Sequence, residues 1–204
     1  MKEKLIAQID NYIPCNEQER RDKALMLQLL QQDADLSRRE HLTAHLTASA
    51  WVVSPDRKQV LMAFHNLYNS WAWLGGHADG SWNLQQVAEK EAAEESGIKN
   101  LKPLPGGIAS LEILTVDGHE KRGEYVPSHL HLNVTYLFEG DPSLPLRCKA
   151  DENSNVGWIA VEEIPVKSTE PWFVKRIYSK LTENIFHILA KGVIKLICPR
   201  GKNK

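Results

Sequence analysis

The chain has 204 residues, 42% apolar and 25% charged, and its 25 basic and 26 acidic side chains leave a formal net charge of −1. That is the composition of one soluble globular domain, long enough to bury a core without staples. It excludes a global basic field for a nucleic-acid partner, and no apolar run approaches the ~18 residues of a membrane span.

Residues 1–42 read as helical. Leu5, Ile6, Ile9, Tyr12 and Ile13 recur at helical spacing until Pro14 ends the run. Asn16 lies three residues before Glu19, a variant of the capping box, and Leu25, Leu29 and Leu30 stripe a second helix. No turn-rich linker follows. This extension is therefore expected to pack on the main domain, and it is also a candidate homodimer surface. The charged start Met1-Lys-Glu-Lys and Asp10 do not fit a signal-peptide apolar core. Cys15, Cys148 and Cys198 are odd in number, far apart and without a Cys-x-x-Cys pair. Neither a disulfide framework nor a thiolate zinc site is expected, which points to a reducing, cytoplasmic compartment.

From His45 the period changes to two. Leu46, Ala48, Ala50 and Val52 alternate with His45, Thr47, Ser49 and Trp51; Ser54-Pro55-Asp56 is a turn signal, and Gln59–Phe64 reads as the returning strand. A helical pattern covers 84–96 between Asn83 and Gly97. Ile108–Val116, His129–Phe138 and Val156–Val161 read as strands, and Val174 to Leu189 as a long amphipathic helix started by Thr169 and Pro171. The order is that of an α+β or α/β sandwich. The expected divisions are a helical extension, 1–42, a main domain, 43–190, and a tail, 191–204, with five basic residues and no acid. The tail reads as a solvated end.

The stretch from Trp73 to Ile98 carries the chemistry. Asn83 and Gln86 can cap the helix reciprocally, and Gly97 is the expected left-handed stop. Glu91, Glu94 and Glu95 are spaced i, i+3, i+4 and share one narrow arc. They repel one another near a helix C-terminus, where the dipole also disfavours anions. A divalent cation removes that conflict, and carboxylate oxygens suit Mg²⁺ or Mn²⁺. Lys90 can relieve part of it through Glu94. An isolated Glu-x-x-Glu-Glu is more often a solvated face; the Gly-Gly turn upstream and the Gly stop downstream shift that balance.

Gly76 followed by Lys90-Glu91-Ala92-Ala93-Glu94-Glu95-Ser96-Gly97-Ile98 resembles the Nudix box, G-x5-E-x7-R-E-U-x-E-E-x-G-U with U apolar. The resemblance extends over about residues 43–190 and implies a mixed sheet between helices. It also implies hydrolysis of a diphosphate linkage in a nucleoside diphosphate derivative, with Mg²⁺ or Mn²⁺ as cofactor and a small nucleotide-like substrate as partner. Carried over residue by residue, Glu91, Glu95 and the carbonyl of Gly76 hold metal, and Glu94 is a further ligand or places the water. Three positions depart from the pattern: Trp82 stands for the first Glu, Lys90 for Arg and Leu74 for the usual Pro. Lys lacks the planar fork of Arg.

Outside the box, the family implies a carboxylate from a later loop as ligand or base. Glu152 leads Asp151 for that role; a solvated turn is the competing reading. His129 and His131 share a strand face with Asn133 and Thr135, and His77 follows the Gly-Gly turn. All three histidines are candidates for substrate phosphate or base contacts, against the commoner reading of a wet sheet face and a loop histidine. A zinc site is not expected there, since no third ligand stands at fixed spacing. Trp71 and Trp73 flank the turn, where one indole can stack on a base and the other is core. The competing function is a ligand-binding module with little hydrolysis, favoured by Trp82 and Lys90. An isopentenyl diphosphate isomerase ranks last for want of a well-placed Cys.

Overall fold

The computed structural model describes residues 1–32, 35–66, 68–121, 123–149 and 153–191, with only the backbone of 186–191. Glu152, Asp151 and the basic tail beyond Lys191 lie outside the described residues.

Two helices lead, α1 (Lys2–Asn11) and α2 (Glu17–Leu30). Asn16 caps α2, its Oδ1 accepting from the Glu19 amide at 2.8 Å. Only this half of the expected capping box forms. The Glu19 carboxylate turns inward and accepts from the Cys15 amide and the Tyr12 hydroxyl, each at 2.8 Å.

β1 (Ala44–Val53) is buried along its whole length and organises the sheet. On one side it runs parallel to β8 (His129–Glu139), which in turn pairs antiparallel with the edge strand β5 (Lys102–Val116). On the other side its partner changes. Val52 and Val53 pair with β2 (Gln59–His65), whereas Thr47 to Ala50 pair with the short β4 (Leu74–His77). β2 also holds β3 (Ser70–Ala72) and β9 (Asn153–Ala160), which gives a mixed, seven-stranded sheet. β5 starts six residues before the strand expected at Ile108, its register shifting between Pro103 and Ser110. A small hairpin, β6 (His119–Lys121) and β7 (Glu124–Val126), had no clear sequence signal.

Strand alternation gives the sheet two dry faces. Leu46, Ala48 and Val52 pack under Leu5, Ile9, Met26 and Leu30 of the first two helices and under Ala88 and Ala92 of α3 (Leu84–Ser96). Trp51, Val53, Val60 and Met62 form the other face with Ile177, Tyr178, Leu181 and Ile185. These last belong to a C-terminal run of short helices, α4 (Ile164–Lys167) and α5 (Pro171–Phe173), then a π-helical stretch at Val174–Tyr178 and α6 (Ser179–Lys191). Tyr178 stacks on Trp51 with ring centroids 5.2 Å apart. Each such buried side chain contributes roughly 1.5–3 kcal/mol.

Past the β5 edge the terminal helices meet through charge. Lys180 Nζ of α6 lies 2.6 Å from Glu19 Oε1 and 2.7 Å from Glu112 Oε1, all three buried. Ser110 donates to Glu19 at 3.0 Å and also contacts Glu112. Burial works against the Glu19 carboxylate, but Lys180, the Cys15 amide and the Tyr12 hydroxyl outweigh it and hold the group below its ordinary range. Burial wins at Glu112 and pushes its carboxyl up. The Glu112 side continues as hydrogen bonds, with Asn133 Nδ2 donating to Glu112 at 3.3 Å and Thr47 and Ser49 donating to Asn133 Oδ1 at 3.1 and 2.9 Å.

Removing the ammonium leaves two carboxyls buried without their cation. Lys180→Met is expected to lose about 3–5 kcal/mol of unfolding free energy, the usual cost of stranding a buried charge. Adding Glu112→Gln to it should recover part of that loss, and urea denaturation of the single and double variants checks both statements.

Candidate active site

The stop and start of α3 follow the sequence reading. Asn83 Oδ1 accepts from the Gln86 amide at 3.4 Å, Asn83 Nδ2 donates to Gln86 Oε1 at 3.3 Å, and Gly97 closes the helix at φ 76° with its N–H on the Ala93 carbonyl at 2.9 Å. Small residues at Ala88 and Ala92 let α3 lie close on β1 and β4.

That approach brings carboxylates onto glycine backbone. Glu95 is buried; its Oε2 accepts from the Gly75 amide at 3.0 Å and its Oε1 from Asn153 Nδ2 at 3.1 Å. Glu91 lies against Gly76 so closely that an added Cβ there would sit 2.6 Å from its carboxyl carbon. Glu94 stands at the rim with 44% of its side chain exposed. Lys90 Nζ lies 3.3 Å from Glu91 and 3.2 Å from Glu94, so it bridges both, not Glu94 alone. The three glutamates of one helical arc thus occupy three different environments. Gly76, Glu91 and Glu95 come together, and Glu94 borders them.

Trp82, where the motif carries its first Glu, packs on the apolar core beneath α1, with Lys2 Nζ 5.7 Å from its ring centroid. The indole has a packing role that a carboxylate could not fill. Trp71 and Trp73, both partly buried, pack on the α6 face of the sheet, Trp73 edge-on to Tyr178 at 5.6 Å. Asn153 was missed by sequence reasoning. Its signal was weak, one amide in the polar run before β9.

The candidate substrate histidines gather on the other side of β4. His77 points away from α3 and meets His131 and His45, ring centroids 5.0 and 5.1 Å away; His129 lies 5.0 Å from His131 and 4.8 Å from His45. His45 was not anticipated as a member. Burial, reinforced by neighbouring positive groups, holds His77 down to about 3 and His131 to about 2. Beside the cluster, Arg39 donates to Asp79 Oδ1 at 2.8 Å and to its second oxygen.

The NUDIX domain model matches residues 43–181, more than half of the chain. The chain belongs to the Nudix domain family. No curated protein matches it in sequence. Among solved structures, the Nudix hydrolase RenU from M. smegmatis aligns at 16% identity over 71% of this chain and 87% of its own, with TM-score 0.52. A C. elegans Ap4A hydrolase in a binary complex aligns at 16% identity over 71% and 97%, with TM-score 0.48. A NUDIX-family hydrolase from Clostridium perfringens aligns at 19% identity over 68% and 94%, with TM-score 0.46. At such identity the RenU match establishes the Nudix fold alone: a mixed sheet with flanking helices.

The two glycines of the Nudix turn separate stability from site geometry. A Cβ on Gly75 would meet the Ala48 carbonyl oxygen at 2.4 Å, backbone that cannot swing away, whereas one on Gly76 meets the end of the Glu91 side chain. Gly75→Ala is expected to cost about 1–3 kcal/mol in overpacking. Gly76→Ala should keep its melting temperature within a few degrees yet weaken Mn²⁺ binding at least about tenfold. Thermal melts and calorimetric titration of the pair check this.

Proposed function

We propose that this chain is a divalent-metal-dependent hydrolase of a diphosphate linkage in a nucleoside diphosphate derivative. The observation that carries the reading is the convergence of Glu91 and Glu95 on the Gly75–Gly76 backbone. Carboxylates facing a backbone turn are an oxygen donor set suited to Mg²⁺ or Mn²⁺. The residues fit such an ion: Gly76 has no room for a Cβ because a carboxylate occupies that space, and the ion pair at Glu91 is with an exposed lysine, Arg39 acting from farther off. Glu91, Glu95 and the Gly76 carbonyl would hold the ion. When bound, it neutralises diphosphate charge and favours ionisation of water.

The chain's own groups supply the rest. The Gly75 amide and Asn153 clamp both oxygens of Glu95 and fix its orientation. Glu94, at the rim, takes the proton of the attacking water or orients that water, and Glu152 is the second candidate for the same task. Water oxygen bonds to phosphorus, the bridging P–O bond breaks, and the leaving phosphate departs with its electron pair. Lys90 stays on the rim as a point charge that limits repulsion between Glu91 and Glu94. We place the reaction in a reducing cytoplasm on the cysteine pattern, with a small molecule as partner. Among the described residues no helix is long and apolar enough to cross a membrane.

A second reading, a Nudix ligand-binding module with little turnover, is favoured by Trp82, since core packing has replaced a motif carboxylate. Assays of nucleotide sugars, ADP-ribose, dinucleotides, coenzyme A and nucleoside triphosphates with Mg²⁺ or Mn²⁺ separate the two. Turnover is expected on at least one. Glu95→Gln should keep the fold and lose turnover at least about 100-fold, together with most Mn²⁺ affinity. Ligand binding with no turnover on any diphosphate would favour the module, and unchanged Mn²⁺ affinity in Glu95→Gln would remove Glu95 from the ligand set.

A further inference from the structure

We propose that His45, His77 and His131 form a second metal site, for a zinc-like divalent transition ion, on the sheet face opposite α3. One ring nitrogen from each lies within 4.8 Å of the others. The three come from three adjacent strands. His45 and His131 are register partners across the parallel β1–β8 pair, and His77 pairs with Thr47, two residues along the same face from His45. The backbone ladders therefore fix the three Cβ positions before any ion arrives. This supplies the third ligand that local spacing around His129 and His131 lacks.

The hydrogen bonds around the rings point the same way. His45 Nδ1 lies 3.3 Å from the His41 carbonyl oxygen, and His129 Nδ1 lies 2.8 Å from that of Pro127. A carbonyl only accepts, so each Nδ1 donates and each Nε2 presents a lone pair. Outer-shell bonds of this kind hold metal-ligating histidines in the correct tautomer. The His45 Nε2 so presented is buried and has no hydrogen-bond partner. A buried orphan nitrogen is rare without an unseen ion or water. His129 Nε2 stands 3.1 Å from His131 Nε2. His129 is not one of the three converging ligands; its contact with His131 is a hydrogen bond that orients that ring.

The donor set selects the ion. Imidazoles without a carboxylate among them suit zinc, nickel, copper or iron and reject the hard magnesium and calcium ions. The Glu91–Glu95 group on the α3 side has the opposite preference. The histidines read from sequence as substrate contacts, His77, His129 and His131, face one another in this arrangement. Ion binding itself is independent of any hydrolytic activity.

The test uses the full chain without a polyhistidine tag, stripped by chelation and dialysed, then titrated with Zn²⁺ in excess Mg²⁺ so that the carboxylates are occupied. About one Zn²⁺ per chain is expected. His131→Asn and His45→Gln should each weaken it roughly 100-fold or more, beyond the 10–100-fold typical of an outer-shell loss, while Glu95→Gln retains it. X-ray absorption of the zinc-loaded wild type should show at least three imidazole ligands, and it decides alone if a histidine variant fails to fold by circular dichroism. No Zn²⁺ retained under Mg²⁺, affinity unchanged in both folded histidine variants, or fewer than three imidazoles around the zinc would each overturn the proposal.

Discussion

The four residues of β4 are the constraint on which both candidate sites depend. A strand sends successive side chains to opposite faces, so Gly76 opens toward Glu91 of α3 while His77 joins the histidines on the far side. β4 can sit there only because β2 leaves β1 after Val52 and Val53 and frees the edge of Thr47 to Ala50. Glycine at 75 and 76 follows from this double packing. One glycine lies against the β1 backbone and the other against a glutamate, and neither leaves space for a side chain.

Between the two terminal helices and this strand runs a single buried polar seam. It starts at Lys180, passes through Glu112 and Asn133, and ends at Ser49, the residue opposite Gly75. Such a seam is costly to bury, and its members satisfy one another: each carboxyl, amide and hydroxyl finds a donor or acceptor inside the protein. Its consequence is positional. Glu19 on α2 and Lys180 on α6 tie segments far apart in sequence to the same edge strand, so the extension that precedes the Nudix domain is joined to it by buried charge as well as by apolar contact.

The parts legible in the sequence were those encoded locally. The caps of α3, the alternation of β1 and β8 and the burial of Leu5, Ile9 and Leu30 come from residues near one another in the chain, where periodicity and capping chemistry act directly. Ile13 and Leu25 of the expected stripes are exposed, Met26 takes the inward place, and α2 ends at Leu30 rather than running toward residue 42. What was not legible depends on register. Glu19 has the spacing of a capping-box partner, yet its carboxylate serves Lys180 across 161 positions. Asn153 meets Glu95 only because β9 lies where it does. His45 meets His131 only because β1 and β8 run parallel in that register. A one-residue slip would turn His45 to the other face, and no local pattern announces the register. Trp82 was visible as a departure from the motif, but its packing beneath α1 needed the helix to be placed first.

The glutamate cluster shows how a fold distributes an electrostatic conflict. Three carboxylates near the C-terminal end of a helix oppose its dipole and one another. Glu95 escapes by burial against two N–H donors, which a carboxylate needs if it is to remain charged away from water. Glu94 escapes into solvent with Lys90 beside it. Glu91 has neither remedy in full, with 14% of its side chain exposed and a lysine 3.3 Å away that is itself 63% exposed. Solvent screens such a contact strongly, so it contributes little. Replacing Arg by Lys at this position removes the planar fork that could have bound Glu91 and Glu94 together. Of the three, Glu91 is thus left with the least local compensation, a rim lysine and the more distant Arg39, and it sits against the Gly76 backbone.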